Sequence, residues 1–221
     1  MARVQRIGIW FGGVLAPTLS QAALAAFKDQ EQPRPGGLTR EPLEYPQEAR
    51  LRLLALEKKL ALGQLDPASF CRAAIRLAGA AVSSLELSAG IREQISPRQT
   101  HPALLSLIGE LVSRYPLDLI CDYPQEWVLT DSPGAIATDV GWQALFSPES
   151  VFFTANYHPA RSYQDLLQKM YAEGPLWRGK TLLVDADPAR NRLAIRMGLD
   201  VAVFVDARRL RRDLALWGLV G

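Results

Sequence analysis

The second half of the chain alternates between short apolar runs and longer stretches with helical spacing. The runs are residues 117–121, 151–154, 181–184 and 201–205. Each is the length of a buried strand and carries little polarity on either face, as strands of a parallel sheet do. Between them, residues 101–115 place Leu104, Leu105, Leu107, Ile108, Leu111 and Val112 on one helical face, with Thr100 as the expected cap. Residues 162–172 carry Leu166, Leu167, Met170 and Tyr171, and residues 188–197 carry Leu193, Ala194 and Met197 before Gly198 stops them. Strand and helix in alternation predict an α/β fold, a Rossmann-like parallel sheet covered by helices. The β-forming run 7–11, punctuated by Gly12-Gly13, joins the same sheet.

The stretch from about residue 18 to 91 reads differently, with helical spacing and no convincing strand. A short helix is expected over 20–28, and 31–46 is a loop because it holds Pro33, Pro35, Gly36, Gly37, Pro42 and Pro46. Residues 47–62 present Leu51, Leu54, Leu56, Leu60 and Leu62 among charges. Asp66-Pro67 then gives an N-cap followed by proline at the first helical position, with Phe70, Ala74, Ile75 and Leu77 continuing the face. The pattern predicts a core made of 1–17 plus 96–221, with a helical insertion over 18–95.

Composition narrows the picture only a little. Of the 221 residues, 48% are hydrophobic and 22% charged, ordinary values for a globular chain. The net charge of +2 argues against a nucleic-acid binder. A basic cluster at Arg208, Arg209, Arg211 and Arg212 reads first as a solvated helix face, with Asp206 and Asp213 as local partners, and second as an interaction surface. No apolar run reaches the ~18 residues of a membrane helix. The basic, then apolar N-terminus ending near Ala23-Leu24-Ala25 shares features with a signal peptide, but Gly, Pro and Ser break the run and favour a strand. Two cysteines, Cys71 and Cys121, are too few for a disulfide framework and fit the reduced thiols of a cytoplasmic protein. His101 and His158 have no partner at zinc-ligand spacing, so no zinc site is expected.

Four phrases in order then carry a resemblance. Ile9-Trp10-Phe11-Gly12-Gly13-Val14-Leu15 is similar to a first-strand motif Phe-Asp-x-Gly-Gly-Val-Leu. Leu62-Gly63-Gln64-Leu65-Asp66 followed by Phe70 is similar to a phrase of helical caps, residues 117–127 to a strand ending in Ser-Asn, and Leu182-Leu183-Val184-Asp185 to a strand ending in paired Asp. The chain resembles the haloacid dehalogenase (HAD) superfamily of hydrolases, in the branch with a helical cap inserted after the first strand.

The resemblance implies a phosphatase or dehalogenase with an aspartate nucleophile, and the matching residues depart from that. The nucleophile position is Trp10, whose indole cannot form the covalent ester. No Asp or Glu precedes Asp29, so no slip of register supplies one. Gly12 stands where phosphatases place an acid–base Asp. Cys121 matches the phosphoryl-binding Ser or Thr, and a thiol is a weak donor. Asp122 matches an Asn and adds negative charge. Arg161 matches the motif lysine and is the residue expected to hold an anion. Asp185 is kept, but its acidic partner is Ala186, with Asp187 more suited to capping a helix. The metal site of the family draws on the first-strand Asp, a first-strand carbonyl and the paired acids, so no cofactor is expected, and Mg²⁺ only if activity survives.

Three functions follow: a non-catalytic protein that binds a small molecule or a protein, with Trp10, Gly12, Cys121, Asp122, Arg161 and Asp185 as the remnant pocket; a weak hydrolase with a relocated nucleophile such as Cys121 or Asp122, with His101 or His158 as base; or an interaction module using its basic C-terminal surface. Trp10, Phe11 and Trp127 are candidates to fill the old pocket.

Overall fold

A computed structural model describes residues 4–30, 47–96, 99–129, 141–157, 160–173 and 181–221. The expected loop over 31–46 and His158 lie outside the described residues. Among the described residues one sheet contains β1 (Arg6–Trp10), β2 (Leu117–Cys121), β3 (Val151–Phe153), β4 (Thr181–Asp185) and β5 (Asp200–Val203). Their order is β3-β2-β1-β4-β5, and every pairing is parallel. The last strand ends two residues before the apolar run does. Phe204 leaves the ladder, donates its N–H to the Asp185 carbonyl at 3.0 Å, and lets Asp206 cap the next helix.

Side chains alternate between two packed faces. Ile7, Ile9, Phe11, Leu119, Cys121, Leu182 and Val184 share one cluster with helices α1 (Leu19–Gln30), α5 (Pro102–Val112) and α9 (Ala207–Leu216). Trp10, Ile120 and Leu183 point the other way, into a cluster with α7 (Tyr163–Glu173) and α8 (Pro188–Arg196). On β1, β2 and β4 both faces are covered, which is why these strands show no hydrophobic–polar alternation in sequence, whereas the run at 201–205, expected to be fully buried, forms the edge strand β5 with only Ala202 buried and Val203 exposed.

Among the described residues the helices between β1 and β2 are α1, α2 (Gln47–Ala61), α3 (Pro67–Ala78), α4 (Ser84–Gln94) and α5, and the short α6 (Gln125–Val128) follows β2. α3 starts where the sequence places it, with the Asp66 carboxylate accepting the Ser69 N–H at 2.8 Å. α4 carries a capping box that the hydrophobic spacing alone does not isolate: Ser83 accepts from the Glu86 N–H while Glu86 accepts from the Ser83 N–H. Two expectations change. α5 is capped by His101, whose Nδ1 accepts the Ala103 N–H at 3.1 Å, and not by Thr100. The Thr100 hydroxyl is buried and donates to the Leu15 carbonyl, so it ties the two connections to the sheet together. On α2, Leu51 and Leu54 are exposed, and the buried side is Leu53, Glu57, Leu60 and Ala61. That side meets α1 and the carboxyl end of the sheet, where polar partners wait for Glu57. Two bonds fasten the end of α2 and the turn after it to the chain that follows β3: the Thr154 hydroxyl donates to Ala61 O at 2.7 Å, and Gln64 Nε2 donates to Ala160 O at 2.8 Å.

Candidate functional site

In an open parallel sheet, ligands sit outside the carboxyl ends of the strands, where the winding reverses. The order β3-β2-β1-β4-β5 puts that reversal between β1 and β4. Trp10 closes β1, Asp185 closes β4, and Asp122 follows β2, so three of the remnant positions converge there by topology alone.

Trp10 is fully buried. Its indole lies on the α7–α8 face of the sheet, edge-on to Tyr163 at 6.2 Å between ring centroids. Its Nε1–H is buried without an acceptor, so the ring is held by its faces and edges rather than by its polar atom. Over one face sits the guanidinium carbon of Arg190, 4.3 Å from the ring centroid and 5.5 Å from that of Tyr163. The same guanidinium forks onto Asp185, Nε to Oδ2 at 2.7 Å and Nη2 to Oδ1 at 2.8 Å. Its Nη1 lies 3.9 Å from Asp122 and 3.7 Å from Asp187. Only 5% of the Arg190 side chain and none of the Asp185 side chain is exposed. Burial pulls the guanidinium down, but the hydrogen bonds and charge of Asp185, with the charge of Asp122, outweigh it and hold the group above its ordinary value. Arg190 is thus a permanent cation.

Arg190 was not among the residues the sequence motifs indicated. One signal was available. It occupies the first turn of α8, where a cation opposes the helix dipole unless it has an acidic partner. The neighbouring Asp187 does cap α8, accepting from the Ala189 and Arg190 N–H groups at 2.6 and 3.0 Å. Arg161, expected to hold an anion, is exposed; its backbone N–H donates to Asp165 at 2.8 Å, and its guanidinium forms no ion pair among the described residues.

The other remnant positions are close-packed. The Gly12 N–H donates to Asp122 Oδ1 at 3.1 Å. A Cβ at position 12 would stand 2.8 Å from that oxygen, so this approach accepts glycine and rejects a carboxylate side chain. Gly13 turns the chain with φ of 91°. Cys121 is fully buried on the opposite face from Trp10, its Sγ 3.9 Å from the Tyr123 carbonyl. Burial, with the Asp122 charge added, pushes the thiol well above its ordinary range, which opposes a thiolate nucleophile. His101 is exposed as the α5 cap and gives no base to Cys121. Phe11 packs edge-on against Tyr123 and Trp142, and Trp127 against Phe70, so both are core residues.

Glu57 of α2 is the further charged residue that sequence reading missed. It is buried, accepts the Ser20 N–H at 3.1 Å and also accepts from the Ser20 hydroxyl. Burial raises its carboxyl above the ordinary 4.5, and the Asp122 charge adds to that.

Beside Asp122 a cavity of about 360 Å³ opens between the start of α3 and the ends of β2 and β3. Asp66, Asp122 and Glu126 supply its charge, Leu60, Leu65 and Phe153 its apolar wall, and no Lys, Arg or His lines it among the described residues. A phosphate entering here meets only like charge. On α9 the basic cluster is largely answered within the chain: Arg211 pairs with Glu110 at 2.9 Å, and Arg209 and Arg212 lie 3.7 and 3.9 Å from Asp213.

Comparison with known proteins yields no matching family model and no matching curated protein. Solved structures do match. A HAD-family enzyme from Bacteroides thetaiotaomicron, in complex with magnesium and inorganic phosphate, is 15% identical with a TM-score of 0.61, covering 90% of this chain and 93% of that one. The L-2-haloacid dehalogenase of Xanthobacter autotrophicus, with chloropropionic acid covalently bound, is 13% identical with a TM-score of 0.63, covering 99% of this chain and 85% of that one. With its five parallel strands in this order and these neighbours, the chain has the fold of the HAD-like hydrolases.

Proposed function

We propose that this protein is a non-catalytic HAD-like protein, a pseudoenzyme that binds or regulates and does not hydrolyse. One observation carries the reading: the strand end that would hold the nucleophile ends in Trp10, fully buried, and no carboxylate precedes Asp29 in the chain. Of the neighbours in fold, one is in complex with magnesium and inorganic phosphate and another has chloropropionic acid covalently bound. Covalent catalysis on either needs a nucleophilic side chain at the reacting atom, and an indole is not one. The burial and raised affinity of Cys121 for its proton weigh against a relocated thiol, and the acid-lined cavity weighs against an anionic ligand.

Residues 18–95 serve in this reading as a helical cap on a core of 1–17 plus 96–221. Support comes from Leu62, which shares a cluster with Trp10 and Ile120 of the sheet, and from Gln64, which bonds Ala160 of the core. A small molecule or a protein segment is the partner, and the cavity beside Asp122 is the space left for it. Two buried free thiols accord with a reducing, cytoplasmic setting. Among the described residues no helix is long and apolar enough to cross a membrane.

The test is hydrolysis of an aryl phosphate and of 2-chloropropionate, with and without Mg²⁺, beside Cys121→Ala and Asp122→Asn. Rates equal to buffer are expected throughout. Turnover that disappears in either variant would overturn the reading and identify the relocated group.

A further inference from the structure

The fold's metal-dependent chemistry, as the resemblance implies it, needs an octahedral set of oxygens at the carboxyl end of the sheet. The residues here do not fit. The first-strand carboxylate is replaced by Trp10, and one of the paired acids by Ala186. Asp185 remains, but both of its oxygens accept from Arg190, and Oδ1 also accepts the Asp187 N–H at 3.0 Å. Asp122 gives one oxygen to the Gly12 N–H. Among the described residues no group of three His, Cys, Asp or Glu side chains is arranged to hold a metal ion.

What the pocket does fit is a planar cation. A guanidinium offers N–H donors that match one carboxylate in a fork, and a flat face that rests on an aromatic ring. Asp185 takes the fork and Trp10 takes the face, at 4.3 Å. A divalent ion would gain oxygen ligands from neither the indole nor an alanine. An indole, by contrast, is the best of the aromatic side chains for attracting a cation to its face. Trp10 and Arg190 are therefore complementary to each other. Tyr163, edge-on to the indole and 5.5 Å from the guanidinium, completes the enclosure.

We propose that the Arg190 guanidinium is the resident cation of this site, held by Asp185, Asp122 and the face of Trp10 in place of a divalent metal ion, so that the protein is metal-independent. This rests on the non-catalytic reading but is tested separately from it. The first measurement is titration of the full-length wild-type protein with Mg²⁺, followed by calorimetry and tryptophan fluorescence. No saturable signal is expected, and saturable Mg²⁺ binding would overturn the inference even if no substrate were turned over. Hydrolysis without Mg²⁺ binding would sink the functional proposal and leave this one standing.

The second measurement is a double-mutant cycle on thermal unfolding with Asp185→Asn, Arg190→Met and the two combined. Each single variant strands one half of a buried pair, so each should melt well below wild type. The combined variant should lose less than the sum of the two single losses, since it removes the Asp185–Arg190 pair whole and leaves Asp122 without its cation. Additive losses would overturn the pairing. If the singles fail to fold while the combined variant folds, the pairing is supported, and the wild-type Mg²⁺ titration stands independently of all three.

Discussion

Two Arg–Asp pairs bracket the sheet, and they behave as opposites. At the amino ends of the strands Arg6 of β1 meets Asp118 of β2 through one contact of 2.6 Å, with 30% of the Arg6 side chain exposed. At the carboxyl ends Arg190 meets Asp185 through a two-pronged contact, is enclosed by two aromatic rings, and is almost wholly buried. Burial raises the Asp118 carboxyl above its ordinary range, the hydrogen bond and charge of Arg6 partly offset that, and water still reaches the cation. The second has displaced water altogether, so its attraction is strong and its rupture costly. The buried pair stands at the carboxyl ends, where ligands bind in this architecture, whereas the outer pair is ordinary strand-end electrostatics.

The comparison breaks if the two arginines prove equal. Arg190→Met should cost about 3–5 kcal/mol in urea unfolding, the toll of breaking a buried pair. Arg6→Met should cost about 1 kcal/mol, because its guanidinium is partly solvated. Trp10→Ala removes the floor beneath Arg190 and should cost about 3–5 kcal/mol, as large aromatic truncations do. Trp10→Asp sharpens the point: it restores a carboxylate at the strand end, yet aryl phosphate hydrolysis should remain at the buffer rate because Arg190 still occupies the neighbouring acids. Activity in that single variant would show that the indole alone silences the site.

A smaller effect concerns Glu57, the acid that α2 brings to the same end of the sheet. Its folded-state affinity for a proton is raised above the ordinary 4.5. The folded protein then holds a proton that the unfolded chain has released, so this group's contribution is full below pH 4.5 and is lost as pH rises through the raised value. Glu57→Gln should match wild type in acid and melt progressively higher than wild type as pH rises. A gap that opens in the other direction would mean that Glu57 is held ionised. The mildest test is alkylation. Burial pushes the Cys71 thiol up to about 11 and the Cys121 thiol well above its ordinary range, so iodoacetamide at pH 8 should label neither until urea unfolds the chain.

Much of this architecture was legible along the chain. Strands fully covered on both faces must be apolar throughout, so their runs stand out, and the Asp66-Pro67 and Asp187-Pro188 pairs announce their helices through capping chemistry that is local by nature. The lack of a carboxylate was equally plain, since a residue type absent from the first strand cannot be supplied by any pairing of strands. Arg161 and Arg190 show the limit. Both are arginines near the strand ends in sequence, but only a first-turn position on α8 directs a guanidinium between β1 and β4. Glu57 shows it again: its neighbours on α2 suggest Leu51 and Leu54 as the buried face, and the partner that selects the other face is Ser20, 37 residues away.

The sequence by itself determined the parallel α/β class, the helical stretch after the first strand and the lack of a carboxylate at its end. These depend on periodicity, capping and residue identity, which are properties of neighbours in the chain. The tertiary structure alone decided which cation meets Asp185, which face of α2 is buried and that Trp10 lies beneath a guanidinium. These depend on distances between groups far apart in sequence, and a charge finds its counter-charge by position in space rather than by order along the chain.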